Sequence, residues 1–260
     1  MILLIDFDSI IYTSVYRIVS FKEIRRALTD FGKDGARQWI LEEVYNEGVN
    51  RAENELLKIQ NYVSNQMIQE VTGVELFITT CKKSFRKELN PHYKETRNRN
   101  KYVDFIRTHY QMNGAYHSDT HEADDLIARR ALELGKDNYV VVSIDKDLKQ
   151  VGGYYWSYYK IKSKDTYGEY ILNEHGSHEK EFKQKSIDFI TDQEADLFFW
   201  NQMLTGDPGD CVKGLHRVGK VTAEKILKDC YMPCITVMRE YIKRNQKSDF
   251  WTTYKLLKLE

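Results

Sequence analysis

Residues 139–147 read YVVVSIDKD. Tyr139 to Ile144 is a short apolar run rich in β-branched side chains, the pattern of a strand buried on both faces. It stops at Asp145, and Asp147 follows closely. The start of the chain repeats this arrangement: Ile2 to Ile5 is an apolar strand pattern that meets Asp6 and then Asp8. Val74 to Thr80 and Tyr154 to Tyr159 read as two further strands. Helical patterns separate these runs, which predicts an α/β fold with a mostly parallel sheet. In an open parallel sheet, ligands bind at the carboxyl ends of the strands, where these aspartates lie.

Working outward, Gly35 to Val71 carries Trp39, Ile40, Val44, Val49, Leu56, Ile59, Val63 and Met67 at roughly helical spacing, with Gly48 as a candidate break. Tyr102 to Tyr110 reads as helical, as does His121 to Leu134, with Gly135 as its stop. Ser163 to Thr191 reads as irregular surface structure. Gln193 to Leu204 is again helical, Thr205 to Lys220 is a glycine-bearing loop, and Val221 to Asp229 is a short helix. Ile235 to Leu259 reads as helical packing elements.

The 260 residues suffice for a core domain and a smaller lobe, with 42% hydrophobic and 30% charged side chains and no formal net charge. Charge balance of this kind leaves the distribution of charge, not its sum, to identify a polyanionic partner. Met1 to Ile5 lacks the basic region of a signal peptide. No stretch approaches the roughly 20 apolar residues that span a bilayer. The expectation is a cytoplasmic protein without a membrane segment. In that compartment Cys81, Cys211, Cys230 and Cys234 are read as free thiols, and no second Cys or His pair completes a zinc set around Cys230 and Cys234.

The acids form a constellation. Asp6 and Asp8 follow the first strand, and Asp145 and Asp147 the third. HEADDL places Glu122, Asp124 and Asp125 at a helix start, and TGDPGD adds Asp207 and Asp210. An acid in a first helical turn also suits the macrodipole, and an aspartate after a strand suits a turn. Acids after two strands, at a helix start and in a glycine loop together point further. Gathered in one cleft, they would repel unless protonated or neutralised by cations. Hard oxygen donors select Mg²⁺ or Mn²⁺ over zinc. Two such ions about 4 Å apart are one solution to phosphodiester hydrolysis.

Lys82 to Lys101 holds eight Lys or Arg against Glu88 and Glu95, interleaved with Phe85 and Tyr93. Within it, Arg86, Lys94 and Arg97 are candidate phosphate contacts and Tyr93 a candidate stacking ring; the rival reading is an inert charged face. GDPGDCVKGLHRVGKVTAEKIL has the character of a helix, a glycine turn and a second helix. Lys213, Arg217 and Lys220 supply countercharge there, and Gly214 and Gly219 permit close backbone approach.

IDFD, FRKELNPHYKETR, EADD, SIDKDL and GDPGDCVKGLHRVGK occur in the order found in the 5′-nuclease superfamily, which includes flap endonucleases and phage 5′→3′ exonucleases. The chain resembles that superfamily from Met1 to about Leu227, and most of all its phage exonucleases. The resemblance implies a PIN-like catalytic core over 1–160. It also implies a helical lobe over 161–260, with a helix–three-turn–helix element at about 193–229, the two packed as one unit. Two divalent cations would be held by Asp6, Glu122, Asp124, Asp125, Asp145, Asp147, Asp207 and Asp210. Arg86 and Lys94 would contact the scissile phosphate, and Tyr93 would stack on a terminal base. The Gly214 to Lys220 loop would bind duplex backbone, with K⁺ held by main-chain carbonyls.

Two departures stand out. Many members carry an aspartate where this chain has Thr79, which leaves one usual ligand missing or replaced by Asp8. Only about two dozen residues separate Arg97 from Glu122, where flap endonucleases often place a longer arch. The expected function is therefore a monomeric 5′→3′ exonuclease acting on duplex DNA, with RNA in hybrids as a further substrate. A flap endonuclease and a non-catalytic DNA-binding protein of nuclease fold are the alternatives.

Overall fold

In the structure, a computed structural model, the apolar runs at Ile2 and Tyr139 become neighbouring strands. Residues 1–16, 18–19, 21–81, 83–97, 100–158, 168–172, 178–182 and 186–259 are described. β1 (Ile2–Asp6) pairs in parallel with β2 (Gly73–Phe77) on one side and with β3 (Tyr139–Val142) on the other. β4 (Gly153–Trp156) lies parallel beside β3. β5 (Gly168–Leu172) and β6 (His178–Phe182) form a separate antiparallel hairpin. β7 (Asp188–Ile190) closes the β4 edge of the main sheet antiparallel. Asp6 aligns with Phe77, and Ile5 with Val142, so the residues after β1 and β3 emerge together at one end of the sheet.

Side chains alternate across a strand, and both faces of this sheet are covered. Leu3, Ile5, Val140 and Val142 face one core with Phe7, Ile59, Val63, Ile106 and Trp156. That core is roofed by α1 (Phe7–Ser14), α2 (Phe21–Gln66) and α4 (Lys101–Met112). Leu4, Val141 and Phe77 face the opposite core with Ile127 and Ala131 of α5 (Ala123–Leu134). The short α3 (Phe85–Leu89) precedes α4. Burying such aliphatic side chains is worth roughly 1.5–3 kcal/mol each.

A third core joins α6 (Asp192–Thr205), α7 (Lys220–Leu227), α8 (Pro233–Lys243) and α9 (Asp249–Leu257) through Phe199, Trp200, Met203, Val237, Tyr241 and Phe250. Between α6 and α7 lies a small ribbon, β8 (Gly206–Asp207) against β9 (Val212–Lys213). Its chains approach so closely that a Cβ on Gly214 would lie 2.3 Å from the Gly206 nitrogen.

Several expectations are corrected. An unexpected helix from Phe21 precedes the one expected from about Gly35, the two meeting at a kink, and the second continues through Gly48. Gly48 meets Ile106 of α4 at a contact where a side chain would crowd. The non-helical residue is instead Gly32, at φ 68°. The second strand ends at Phe77 instead of Thr80, because Thr79 turns towards α5 and Asp8. The stretch expected to be irregular contains β5, β6 and β7. Lys82, Arg99, Tyr159 and the boundary expected near residue 160 lie outside the described residues.

Candidate metal centre

One serine ties the ends of β1 and β3 together. Ser143 donates its hydroxyl to Asp6 Oδ2 at 2.7 Å, and its Oγ accepts the Asp145 amide at 2.9 Å. Asp145 Oδ1 accepts the Asp147 amide at 2.9 Å. Glu122 caps α5, and Asp124 stands in the first turn of that helix. Burial, then the charges of Asp8 and Asp145, push Asp6 up to about 7 against the Ser143 bond. Burial, then the charge of Asp6, also holds Asp124 well above the usual carboxylate range, with Lys94 opposing. Burial and the charges of Asp145 and Asp207 push Asp147 up to about 7. Asp6, Glu122, Asp124 and Asp145 thus share one field, and Asp145 links it to Asp147, Asp207 and Asp210.

Asp207 leads the ribbon turn, where its carboxylate accepts the amides of Gly209 at 2.8 Å and Asp210 at 3.3 Å. Lys146 Nζ lies 3.7 Å from Asp207. Lys94 Nζ lies 2.9 Å from Glu122 Oε2 and 3.6 Å from Asp210 Oδ2. Burial works against the Lys94 charge, but Glu122, Asp124 and Asp210 hold its pKa above the ordinary value. Arg97 meets Asp210 Oδ1 at 2.5 Å.

Among the described residues, no group of three or more His, Cys, Asp or Glu converges as a ready coordination shell. The donor chemistry still suits a hard divalent cation. The pocket is rich in carboxylate oxygens, and three of its carboxyls are raised by burial and by neighbouring acids.

The geometry gives other candidates beside this pocket different partners, with Arg86 Nη1 itself 3.6 Å from Glu122 Oε2. Asp125 is fully buried, and Arg86 donates to both its oxygens at 2.6 and 2.7 Å. The Asp125 carboxylate also accepts the Glu122 amide at 3.2 Å. Asp125 therefore sets the helix start instead of facing a cation, and Arg86, 2% exposed, is shut away from any phosphate. The Tyr93 ring is buried in the third core, so it offers no face to a base. Its hydroxyl lies 2.9 Å from Glu122 and 3.1 Å from Asp210. Asp8 already has partners: Arg107 donates to one oxygen at 2.7 Å and the Thr79 amide to the other at 3.0 Å. Thr79 Oγ1 itself accepts the first amide of α5, that of Ala123, at 3.1 Å.

Lys213, Arg217, Gly219 and Lys220 are exposed around the start of α7. Gly219 has open space where a side chain would stand. Gly214 differs: its close approach is internal, to Gly206, and is not turned towards a ligand.

Sequence reasoning missed Ser143, Arg107 and Gln202. Ser143 stood in view, two residues before Asp145 at the end of a strand. Gln202 donates to Asp147 Oδ1 at 2.7 Å from inside α6, and no local pattern marks it.

This fold is similar to that of solved structures of a phage 5′-exonuclease. The T5 D15 protein crystallised with metal ions is similar at TM-score 0.58 and 13% identity, over 99% of this chain and 89% of that one. The bacteriophage T5 D15 flap endonuclease, in a pseudo-enzyme-product complex with DNA and metal ions, is similar at TM-score 0.58 and 12% identity, over 99% and 89% of the two chains. A variant of the T5 5′-exonuclease gives a TM-score of 0.56 at 12% identity, over 99% and 87%. No protein-family model and no curated protein sequence matches the chain.

Proposed function

We propose that the chain is a metal-dependent 5′ nuclease that hydrolyses duplex DNA from its 5′ ends. One observation carries this reading: Asp6, Glu122, Asp124 and Asp145, from three separate segments, share one field, with the Lys94 ammonium 2.9 Å from Glu122. Asp6, Glu122, Asp124, Asp145, Asp147, Asp207 and Asp210 would hold two Mg²⁺ or Mn²⁺ ions. Bound there, such ions supply an activated water and stabilise the attacking and leaving oxygens.

The chain's own groups do the positioning. Ser143 fixes the Asp6 carboxylate and the Asp145 amide at once. Lys94 and Arg97, each paired with an acid in the free protein, are the cations that a substrate phosphate would draw away. Exposed Lys213, Arg217 and Lys220 would meet duplex phosphates at the α7 start, with K⁺ held by the loop carbonyls. RNA in a hybrid and a monomeric state belong to the same reading. No helix among the described residues is long and apolar enough to cross a membrane.

The segment between Arg97 and Glu122 favours an exonuclease over a flap-threading enzyme. Its helix, α4, buries Val103, Ile106 and Tyr110, and His109 meets the Tyr45 hydroxyl of α2 at 2.7 Å. A helix packed along one face onto the core leaves no opening on that side for a single strand to pass. The test compares end-labelled recessed duplexes of both polarities with a labelled 5′ flap, with and without Mg²⁺ or Mn²⁺. Short products from the 5′ end of the recessed duplex are expected. Cutting only at the flap junction would establish the endonuclease alternative. DNA binding without metal-dependent products would establish a non-catalytic binder.

A further inference from the structure

A helix ends with carbonyls that have no partner inside it. At the end of α9 these carbonyls are taken up by side chains from the catalytic half of the chain. Arg86 Nε donates to the Leu256 carbonyl at 3.0 Å and Arg86 Nη2 to that of Lys258 at 3.0 Å. Gln150 Nε2 donates to the Leu257 carbonyl at 3.0 Å and also to Gln202 Oε1 at 2.9 Å. Gln202 Nε2 then donates to Asp147 Oδ1 at 2.7 Å.

Chemistry fixes the direction of this relay. A backbone carbonyl only accepts, so Gln150 must present its NH₂ to Leu257. The same NH₂ group serves Gln202, which must therefore answer with its oxygen and turn its own NH₂ to Asp147. The Gln150 Oε1 is left buried without a hydrogen-bond partner. An apolar side chain of similar size would fill the space without that cost. Reversing Gln150 would oppose acceptors at both of its contacts, and reversing Gln202 would oppose two donors at Gln150 and two acceptors at Asp147.

We infer that Gln150 and Gln202 are positioning residues for Asp147, anchored on the last turn of α9. They commit one carboxylate oxygen to an amide donor and so fix the plane in which Asp147 meets a divalent cation. This rests on the metal-dependent reading above. Gln150 shares the 3-10 turn Lys146–Val151 with Asp147, so the double substitution is what decides whether its effect on a cation passes through Gln202.

The test is calorimetric titration of the full-length chain with Mn²⁺ alone, beside thermal melts in EDTA. The variants are Gln202→Leu, Gln150→Leu and the double substitution, with near-isosteric Gln150→Met in case the leucine variant does not fold. Loss of an outer-shell partner typically weakens metal binding by about 10–100-fold. Each single substitution is expected to lower Mn²⁺ affinity at least about tenfold on that scale, and the double no further than the worse single. Wild-type Mn²⁺ affinity in the Gln150 variants overturns the relay, even where their melting temperatures fall. A double variant losing the product of the two single effects also overturns it. A wild-type chain that binds no Mn²⁺ refutes the metal-dependent reading itself.

Discussion

Lys94 Nζ stands 2.9 Å from Glu122 Oε2, so in the free protein a half-buried lysine answers the acid that caps α5. The sparsely populated backbone conformation of Lys94, φ 54°, helps to place it there. Removing one positioned donor from a charge-developing site typically costs about 100–1,000-fold in turnover. Lys94→Ala is expected to lose turnover on that scale while duplex affinity changes much less. Single-turnover rates and filter binding separate the two, and an unchanged rate refutes a phosphate role for Lys94.

Asp145→Asn and Asp124→Ala remove charge from the middle of the shared field. Both are expected to abolish cutting and leave duplex binding largely intact. Wild-type turnover with Mg²⁺ in either variant would show that these acids do not hold the metal.

Asp6 and Asp147 predict a pH dependence whose sign follows from their shifts. Both are raised from 3.8 to about 7 by burial and neighbouring acids, so between those values the folded chain holds protons that the unfolded chain has released. Their contribution to stability is fully present below the unfolded value and is lost as pH rises through about 7. In EDTA, Asp6→Asn is expected to melt higher than wild type at pH 8, with the gap closing towards pH 4. Mg²⁺ should raise the wild-type melting temperature more at pH 8 than at pH 5, since binding displaces those protons. An Asp6→Asn melt equal to wild type at pH 8 would show that Asp6 carries no such strain.

Arg86 and Asp125 should behave as a buried pair. Breaking one typically costs about 3–5 kcal/mol, whereas an apolar replacement of both partners is often tolerated. Arg86→Ala and Asp125→Ala are each expected to destabilise on that scale in urea, and Arg86→Met with Asp125→Leu to recover part of the loss. Two single variants of wild-type stability but no activity would return both residues to the reacting centre.

The parts of the fold legible in the sequence are those that local chemistry dictates. The apolar runs of β1 and β3 end in aspartates because strands emerge at the sheet edge there, and Gly135 ends α5 at φ 79°. The acids of the pocket were legible for the same reason. Less legible was which acid answers which cation. Nothing near Asp125 tells it from Asp124, and only the bidentate Arg86, remote in sequence, separates their roles. Gly48 reads as a breaker because the spacing cannot reveal Ile106 of another helix against it. The strand β7 was missed because its partner β4, not its own residues, makes it a strand.

The ribbon between α6 and α7 pairs Gly206 with Lys213 and Asp207 with Val212. An acid of the pocket and a lysine suited to gripping phosphate therefore stand on neighbouring rungs of one ladder, pinned by two glycines that tolerate no side chain at their crossing. If the duplex is gripped at Lys213, the reach from handhold to cut is a fixed length built into the backbone, and the protein acts as a gauge that counts its distance from a strand end without reading a base.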